Sequence, residues 1–154
     1  MVKSPRLFAV DAGAAAWAGN ATDWRAAAAS GREGALLETF VLSDIMAWDK
    51  LASPVSRYFF WRTAAGAEVD LVIERGDQVV AVEVKATTTL TRRETTGLRA
   101  LQGDVGERFR MGIIAHLGTE TRVLGDRLVA VPLASLLGAG RIPSSETEVT
   151  VDRS

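Results

Sequence analysis

The chain has 154 residues, of which 47% are hydrophobic and 24% charged, and this composition is typical of one globular domain rather than of a disordered chain. Eighteen basic and nineteen acidic residues give a formal net charge of -1, so no overall positive field draws the protein to nucleic acid. With no cysteine and one histidine, the sequence excludes disulfides, thiolate metal sites and multi-histidine zinc sites. No apolar run reaches the roughly 18–20 residues that span a bilayer, so we expect no membrane segment and a cytoplasmic location.

The amino-terminal half predicts helices followed by strands. A short strand at 7–10 precedes an alanine-rich helical stretch over 12–30, which Gly19-Asn20 interrupts. Residues 32–50 predict a long helix whose apolar side chains spread around most of its circumference, so we expect that helix to be largely buried. The following segments are rich in valine, isoleucine and aromatic residues and predict three strands, at 58–62, 68–75 and 78–86.

The carboxy-terminal half continues the alternation of helices and strands. Its predicted elements are a helix at 91–103, a buried strand at 111–117, strands at 121–124 and 127–131, and a helix at 132–137. The whole pattern predicts one mixed α/β domain over residues 1–139. Residues 140–154 are predicted to be a flexible tail.

A two-residue turn at Gly76-Asp77 predicts a hairpin between the second and third of these strands, since glycine can adopt the positive φ that such turns require. In that register Asp70 faces Glu83, and Glu68 faces Lys85. One face of the hairpin is then wholly apolar and packs on a core, and its residues are Val69, Leu71, Ile73, Val80, Val82 and Val84. The opposite face carries the four charged side chains.

The facing carboxylates of Asp70 and Glu83 indicate a metal site. Like charges directly opposite each other on paired strands repel, and a divalent cation offsets that repulsion. Carboxylate oxygens suit Mg²⁺ or Mn²⁺, and Lys85 on the same face can stabilise charge that develops on a phosphate. The alternative is an ordinary solvated hairpin face with a salt bridge between Glu68 and Lys85.

Glu38 is a further candidate ligand. It falls within the apolar arc of the long helix, where an ionised carboxylate is costly unless it is paired or bound to metal. A salt bridge to Arg32 or Arg62 is the alternative explanation. We therefore add Glu38 to Asp70, Glu83 and Lys85 as a four-residue constellation.

Two other features receive weaker interpretations. Residues 85–110 hold six basic side chains against three acidic ones, which could follow a phosphate backbone or could simply be solvated arginines on a helix face. His116 lies in an apolar run and is interpreted as a hydrogen-bonded structural residue, so it is left out of the site.

The order helix acid, strand acid and acid-x-lysine resembles the PD-(D/E)XK nuclease superfamily, with segments 66–74 and 82–85 similar to its two strand motifs. The resemblance implies an α/β fold with a restriction-endonuclease-like core, in which a mixed central sheet is flanked by helices. It also implies metal ligation by Glu38, Asp70, Glu83 and the backbone carbonyl of Val84, with Lys85 catalytic. Mg²⁺ or Mn²⁺ would be the cofactor and DNA the substrate.

A second resemblance covers most of the chain. It is similar to the domain of unknown function that ends many prokaryotic AAA+ ATPases, in segments 4–13, 34–41, 60–62, 68–70 and 83–85. No phosphate-binding loop of the form G-x-x-x-x-G-K-[ST] occurs in this sequence, so the chain is not itself the ATPase. The resemblance implies a carboxy-terminal domain detached from an AAA+ module. Two functions follow as hypotheses: a magnesium-dependent DNA phosphodiesterase, or a catalytically inactive module that binds DNA or a protein partner.

Overall fold

The computed structural model describes residues 23–52 and 55–138, together with residue 13. The predicted strand at 7–10 and the predicted tail at 140–154 lie outside the described residues. Within these ranges every predicted strand and helix has a counterpart whose ends differ by a few residues.

The described helices are α1 (Trp24–Ala29), α2 (Glu33–Ala52), α3 (Thr96–Val105) and α4 (Leu133–Leu136). Helix α1 begins where the Asp23 carboxylate accepts a hydrogen bond from the Ala26 N–H, 2.8 Å away. A single 3-10 turn, Arg92–Thr95, leads into α3, and a reciprocal cap between Thr91 and Glu94 starts that turn. Among these helices, none combines the length and the apolar character needed to cross a bilayer.

Six strands of the described residues form one mixed sheet, and each corresponds to a strand that the sequence predicts. They are β1 (Arg57–Arg62), β2 (Glu68–Arg75), β3 (Gln78–Lys85), β4 (Phe109–His116), β5 (Arg122–Gly125) and β6 (Leu128–Pro132), and their order is β1-β2-β3-β4-β6-β5. The β1–β2–β3 meander is antiparallel, β4 runs parallel to both β3 and β6, and β5 returns antiparallel to β6. Helix α3 makes the connection between the parallel strands β3 and β4.

The predicted register of the β2–β3 hairpin is confirmed from the turn as far as the Leu71–Val82 pair, and the predicted facing pairs Asp70–Glu83 and Glu68–Lys85 lie beyond that ladder. Arg75 pairs with Gln78 across the turn, and Leu71 pairs with Val82. Gly76 adopts a φ of +60°, the left-handed conformation that the turn requires.

A β-bulge in β2 changes which residues share a face. Phe59 pairs with Val72 and Trp61 pairs with Val69, so β2 advances three residues where β1 advances two. The extra residue lies in the Asp70–Leu71 segment, and such a bulge interrupts the regular alternation of faces. The prediction that Val69 shares a face with Leu71 is therefore wrong: Val69 packs in the core beneath α3, and Leu71 packs beneath α2.

Both faces of the sheet bear a hydrophobic core, so the charged side of the hairpin is not an open solvated surface. The core on the α2 face contains Val41, Leu42, Leu71, Val82, Val84, Ala115 and Leu133. The core on the α3 face contains Val69, Val72, Val79, Ala81, Leu98, Leu101, Phe109, Ile114 and Leu128.

The prediction that α2 is largely buried is wrong. Only Val41 and Leu42 of this helix are fully buried, whereas Phe40 is 49% exposed and Trp48 is 65% exposed. The physical reason is that the sheet covers one side of the helix, and the apolar side chains around the remaining circumference face outward.

Candidate functional site

Two carboxylates are buried just beyond Leu71–Val82, the last regular pair between β2 and β3. Asp70 is 7% exposed and Glu83 is 5% exposed. Asp70 lies in the bulged segment of β2, and its Oδ2 accepts a hydrogen bond from the Val84 N–H at 2.9 Å. The bulge and this bond place Asp70 beside β3, where its charge acts on the neighbouring Glu83.

An ion pair joins Glu83 to Lys85 at the end of β3. The Lys85 Nζ lies 2.6 Å from Glu83 Oε1. Burial raises the pKa of Glu83, the lysine lowers it in part, and the charges of Asp70 and Glu68 raise it again. Burial alone would lower the pKa of Lys85, but the hydrogen bond and charge of Glu83, with Asp70 and Glu68, raise it. The lysine is therefore firmly cationic and neutralises part of a crowded set of acids.

The first turn of α3 packs directly on this acidic group, and sequence reasoning did not find the residue that allows it. A Cβ built on Gly97 would lie 2.0 Å from the Glu68 carbonyl oxygen and 3.2 Å from Glu83 Oε2. Only glycine fits so close to the backbone of β2. The sequence shows only that a glycine occupies the second position of this helix. That glycine can be interpreted only once β2 is known to pack against it.

The second oxygen of Glu83 provides a test of whether these residues suit a metal ion. Glu83 Oε2 is fully buried and has no hydrogen-bond partner within the described part of the chain. A buried carboxylate oxygen without a partner is costly, and a hard cation would satisfy it. Magnesium commonly takes one or two carboxylates and completes its shell with water and phosphate oxygens, so Asp70 and Glu83 fit that ion.

Glu38 is not brought into this cluster as a third carboxylate. It is half-buried on α2, whose apolar residues pack on the opposite face of the sheet from α3. Across residues 23–52 and 55–138, no three acidic or histidine side chains converge as a metal site. Ligation by Glu38 and by the Val84 carbonyl therefore stays a prediction, whereas Asp70, Glu83 and Lys85 are neighbours.

The predicted basic patch at 85–110 is partly used within the fold. Of its five members whose side chains are described, Lys85 pairs with Glu83, Arg99 donates to a backbone carbonyl of β5, and Arg108 pairs with a glutamate of β2. Arg93 and Arg110 are exposed. Arg93 and Arg110 are therefore the described members of this patch that are available to contact a phosphate.

His116 lies next to Lys85, and the prediction that it is a hydrogen-bonded structural residue is confirmed for one of its two ring nitrogens. It pairs in register with Lys85 on the adjacent parallel strand, and its Nδ1 accepts a hydrogen bond from the Gly118 N–H at 3.0 Å. Its other nitrogen, Nε2, is buried without a hydrogen-bond partner in the described residues. The apolar run around His116 gave no sign that this histidine would lie beside Lys85.

The fold and the site define a mixed α/β domain with a buried pair of carboxylates at the junction of an antiparallel meander and a parallel strand. Residues 33–136 match the Domain of unknown function (DUF4143), and the chain belongs to that family. Two uncharacterized proteins, Mb2031c of Mycobacterium bovis and Rv2008c of Mycobacterium tuberculosis, are each 30% identical to it over 142 residues, or 91% of this chain. The chain spans 30% of the length of those relatives.

Proposed function

We propose that this chain is a PD-(D/E)XK-like phosphodiesterase that depends on Mg²⁺ or Mn²⁺ and acts on DNA. The observation that carries the proposal is the buried Glu83 carboxylate, which has Lys85 on one oxygen and no hydrogen-bond partner in the described residues on the other. The order of the acids along α2, β2 and β3 also supports it, because that order resembles the motifs of the superfamily.

In this proposal Asp70 and Glu83 hold the cation, with the Val84 carbonyl as a further ligand. The cation, when bound, supplies Lewis-acid stabilisation of the charge on the phosphate. The Val84 N–H orients Asp70, and the packing of α3 against β2 keeps bulk water away from Glu83. Lys85, held by Glu83, places a positive charge where negative charge develops as water attacks phosphorus.

A second candidate is a catalytically inactive module that binds DNA or a protein partner such as an AAA+ ATPase. The burial of Asp70 and Glu83 favours this candidate, because a substrate has little direct access to either carboxylate. Phe40, Trp48 and Leu51 on α2 are also exposed, and a protein partner would cover such large apolar side chains.

Cleavage assays separate the two candidates. We expect the purified chain to cut single-stranded, double-stranded or branched DNA in the presence of Mg²⁺ or Mn²⁺. Lys85→Met keeps the apolar stem but removes the charge, so the rate should fall about a hundredfold. Lys50→Met, at an exposed lysine near the end of α2, is the matched control and should cut at the wild-type rate.

Two outcomes would contradict the catalytic proposal. One is a wild-type chain, freed of contaminating nucleases, that cuts none of these substrates with either metal. The other is Lys85→Met cutting as fast as wild type. Binding of DNA without cleavage would favour the second candidate.

A further inference from the structure

A groove of about 900 Å³ lies between α2 and α4. Its apolar wall includes Ile45 and Trp48 of α2, with Leu136 and Leu137 at the end of α4. Ile45, Leu136 and Leu137 also pack against the core on the α2 face, so the groove lies on the opposite face of the sheet from α3. Trp48 is 65% exposed, and an occupant of the groove would cover this large side chain.

The charges along the groove favour a cationic occupant. Asp49 lines it, but its carboxylate accepts a hydrogen bond from the Tyr58 hydroxyl at 2.8 Å and pairs with the Arg75 guanidinium. Asp44 also lines it, is half-buried, and has neither a hydrogen-bond nor an ion-pair partner among residues 23–52 and 55–138. The described part of the lining contains no lysine or arginine. A complementary occupant therefore presents a cation next to an apolar group.

The chain itself reaches this groove where α4 ends. The Leu137 N–H donates to the Leu133 carbonyl oxygen at 2.9 Å, and Gly138 then adopts a φ of +77°, the left-handed conformation that commonly ends a helix. Gly138 is part of the groove lining, so residues 139–154 start at the groove wall. The first five of these residues have the sequence Ala-Gly-Arg-Ile-Pro.

These residues have the chemistry that the groove requires. Two small residues separate Gly138 from Arg141, and three residues of extended chain span about 10 Å, which is enough to bring Arg141 to Asp44 along the same groove. The arginine guanidinium pairs well with a carboxylate, and the adjacent Ile142 is an apolar group that can cover Trp48. The proline that follows favours an extended conformation at Ile142, so less conformational entropy is lost on docking.

We propose that the segment 139–143 docks into this groove, with Arg141 paired to Asp44 and Ile142 packed on Trp48. Because the segment is attached at the end of α4, its local concentration is of the order of millimolar, and a contact of about millimolar affinity keeps the groove occupied about half of the time. The docked segment then covers part of the α2 surface that a protein partner would otherwise contact. This docking requires neither a metal ion nor cleavage, so it goes beyond the proposed function and can succeed or fail independently of it.

The experiment uses the full chain and the fact that it contains no cysteine. Ser144→Cys therefore provides a single attachment point for a nitroxide spin label directly after the docked segment. In the ¹⁵N-labelled chain the nitroxide should strongly enhance relaxation of the Trp48 indole signal, which Trp48→Phe assigns. The Trp61 indole N–H donates to Asp104 Oδ2 of α3 at 3.3 Å, so its signal is the internal reference for folding and should be affected much less.

Charge reversal distinguishes a docked segment from one that is only tethered near the groove. In the spin-labelled chain, Arg141→Glu should lower the relaxation enhancement at Trp48 at least about threefold, the change in population that a partly exposed ion pair supports. Arg153→Glu makes the same change of charge farther along the chain, so it is the matched control and should leave the enhancement unchanged. The double variant Asp44→Lys, Arg141→Glu exchanges the two charges and should restore the enhancement.

The proposal is overturned if Arg141→Glu leaves the enhancement at Trp48 unchanged, or if the exchange of charges with Asp44 does not restore it. A mixture of spin-labelled chain at natural isotope abundance and ¹⁵N-labelled chain without the nitroxide tests whether the segment of a second copy occupies the groove instead. Enhancement in that mixture as large as within one chain would also overturn the proposal. Because EDTA is present throughout, none of these results depends on the carboxylate site.

Discussion

The carboxylate of Asp70 accepts a hydrogen bond from the backbone N–H of Val84, with 2.9 Å between Oδ2 and the nitrogen. This bond lies just beyond the Leu71–Val82 pair of the hairpin ladder, where β2 carries its bulge. The Asp70 side chain thus accepts the hydrogen bond that a backbone carbonyl of β2 would accept in a regular ladder. The same bond holds the Asp70 charge close to Glu83, so it stabilises the strand junction while it maintains the repulsion between two acids.

Substitutions at Asp70 should separate these two effects. Asp70→Asn keeps an oxygen that can accept from Val84 and removes the charge, so without metal its free energy of unfolding should equal or exceed that of wild type. Asp70→Ala leaves the Val84 N–H buried without an acceptor and should lose about 1–3 kcal/mol. Urea denaturation in EDTA measures both. Equal losses in the two variants would mean that the hydrogen bond has no importance for stability.

The Glu83–Lys85 ion pair should show strong coupling. Lys85→Met leaves the buried Glu83 without its cation, whereas the Glu83→Gln, Lys85→Met double variant removes the charge as well. The double variant should therefore be more stable than Lys85→Met alone, with a coupling energy of about 0.5–3 kcal/mol. A double-mutant cycle by urea denaturation measures it, and strictly additive losses would show that the pair is only a surface contact.

Two glycines of α3 form a matched test of the close approach to β2. Gly97→Ala places a methyl group against the Glu68 carbonyl oxygen, and such overpacking should cost about 1–3 kcal/mol. Gly103→Ala meets nothing within 4 Å and should instead stabilise the chain by about 0.4–1 kcal/mol. Thermal and urea unfolding compare the two. Stabilisation by both substitutions would contradict the packing of α3 on the acidic cluster.

Ionisation of Asp49 should contribute to the pH dependence of the free energy of unfolding. Burial alone would raise the pKa of Asp49, but hydrogen bonds from Ser56, Tyr58 and Arg75, with the charge of Arg75, lower it below its ordinary value of 3.8. The folded state thus binds this proton more weakly than the unfolded state does. The stabilisation is complete above pH 3.8 and is lost as pH falls through the lower folded pKa.

Asp49→Asn should therefore lower the free energy of unfolding near neutral pH and flatten its decline on the acid side. Asp77→Asn, in the exposed β2–β3 turn, is the control and should keep the wild-type acid profile. Urea denaturation at a series of pH values compares the three proteins. Parallel profiles for wild type and Asp49→Asn would contradict the assignment.

The hairpin register could be predicted because it depends on local chemistry. A two-residue turn at Gly76-Asp77 fixes the pairing of the residues next to it, and the observed ladder keeps that pairing as far as Leu71–Val82. Asp70 and Glu83 could therefore be placed on adjacent strands from sequence alone. The mixed α/β class likewise follows from the order of strongly patterned segments, whereas the order of the strands in the sheet does not.

The features that sequence did not predict depend on contacts between distant segments. The bulge at Asp70–Leu71 arises from pairing with β1, and nothing in the alternation of β2 marks it. The apolar circumference of α2 does not reveal which side the sheet will cover, so the sequence predicts a largely buried helix although Trp48 is exposed. His116 and Gly97 likewise become meaningful only once β4 and α3 are placed against β3.

Calorimetric titration of Mn²⁺ into the purified chain measures whether Asp70 and Glu83 together hold a divalent cation. The wild-type chain should bind one ion, Asp70→Asn and Glu83→Gln should each lose at least about tenfold in affinity, and Glu107→Gln, an exposed control, should bind as wild type does. Binding that is absent in the wild-type chain, or unchanged in Asp70→Asn and Glu83→Gln, would show that these two carboxylates do not hold the cation.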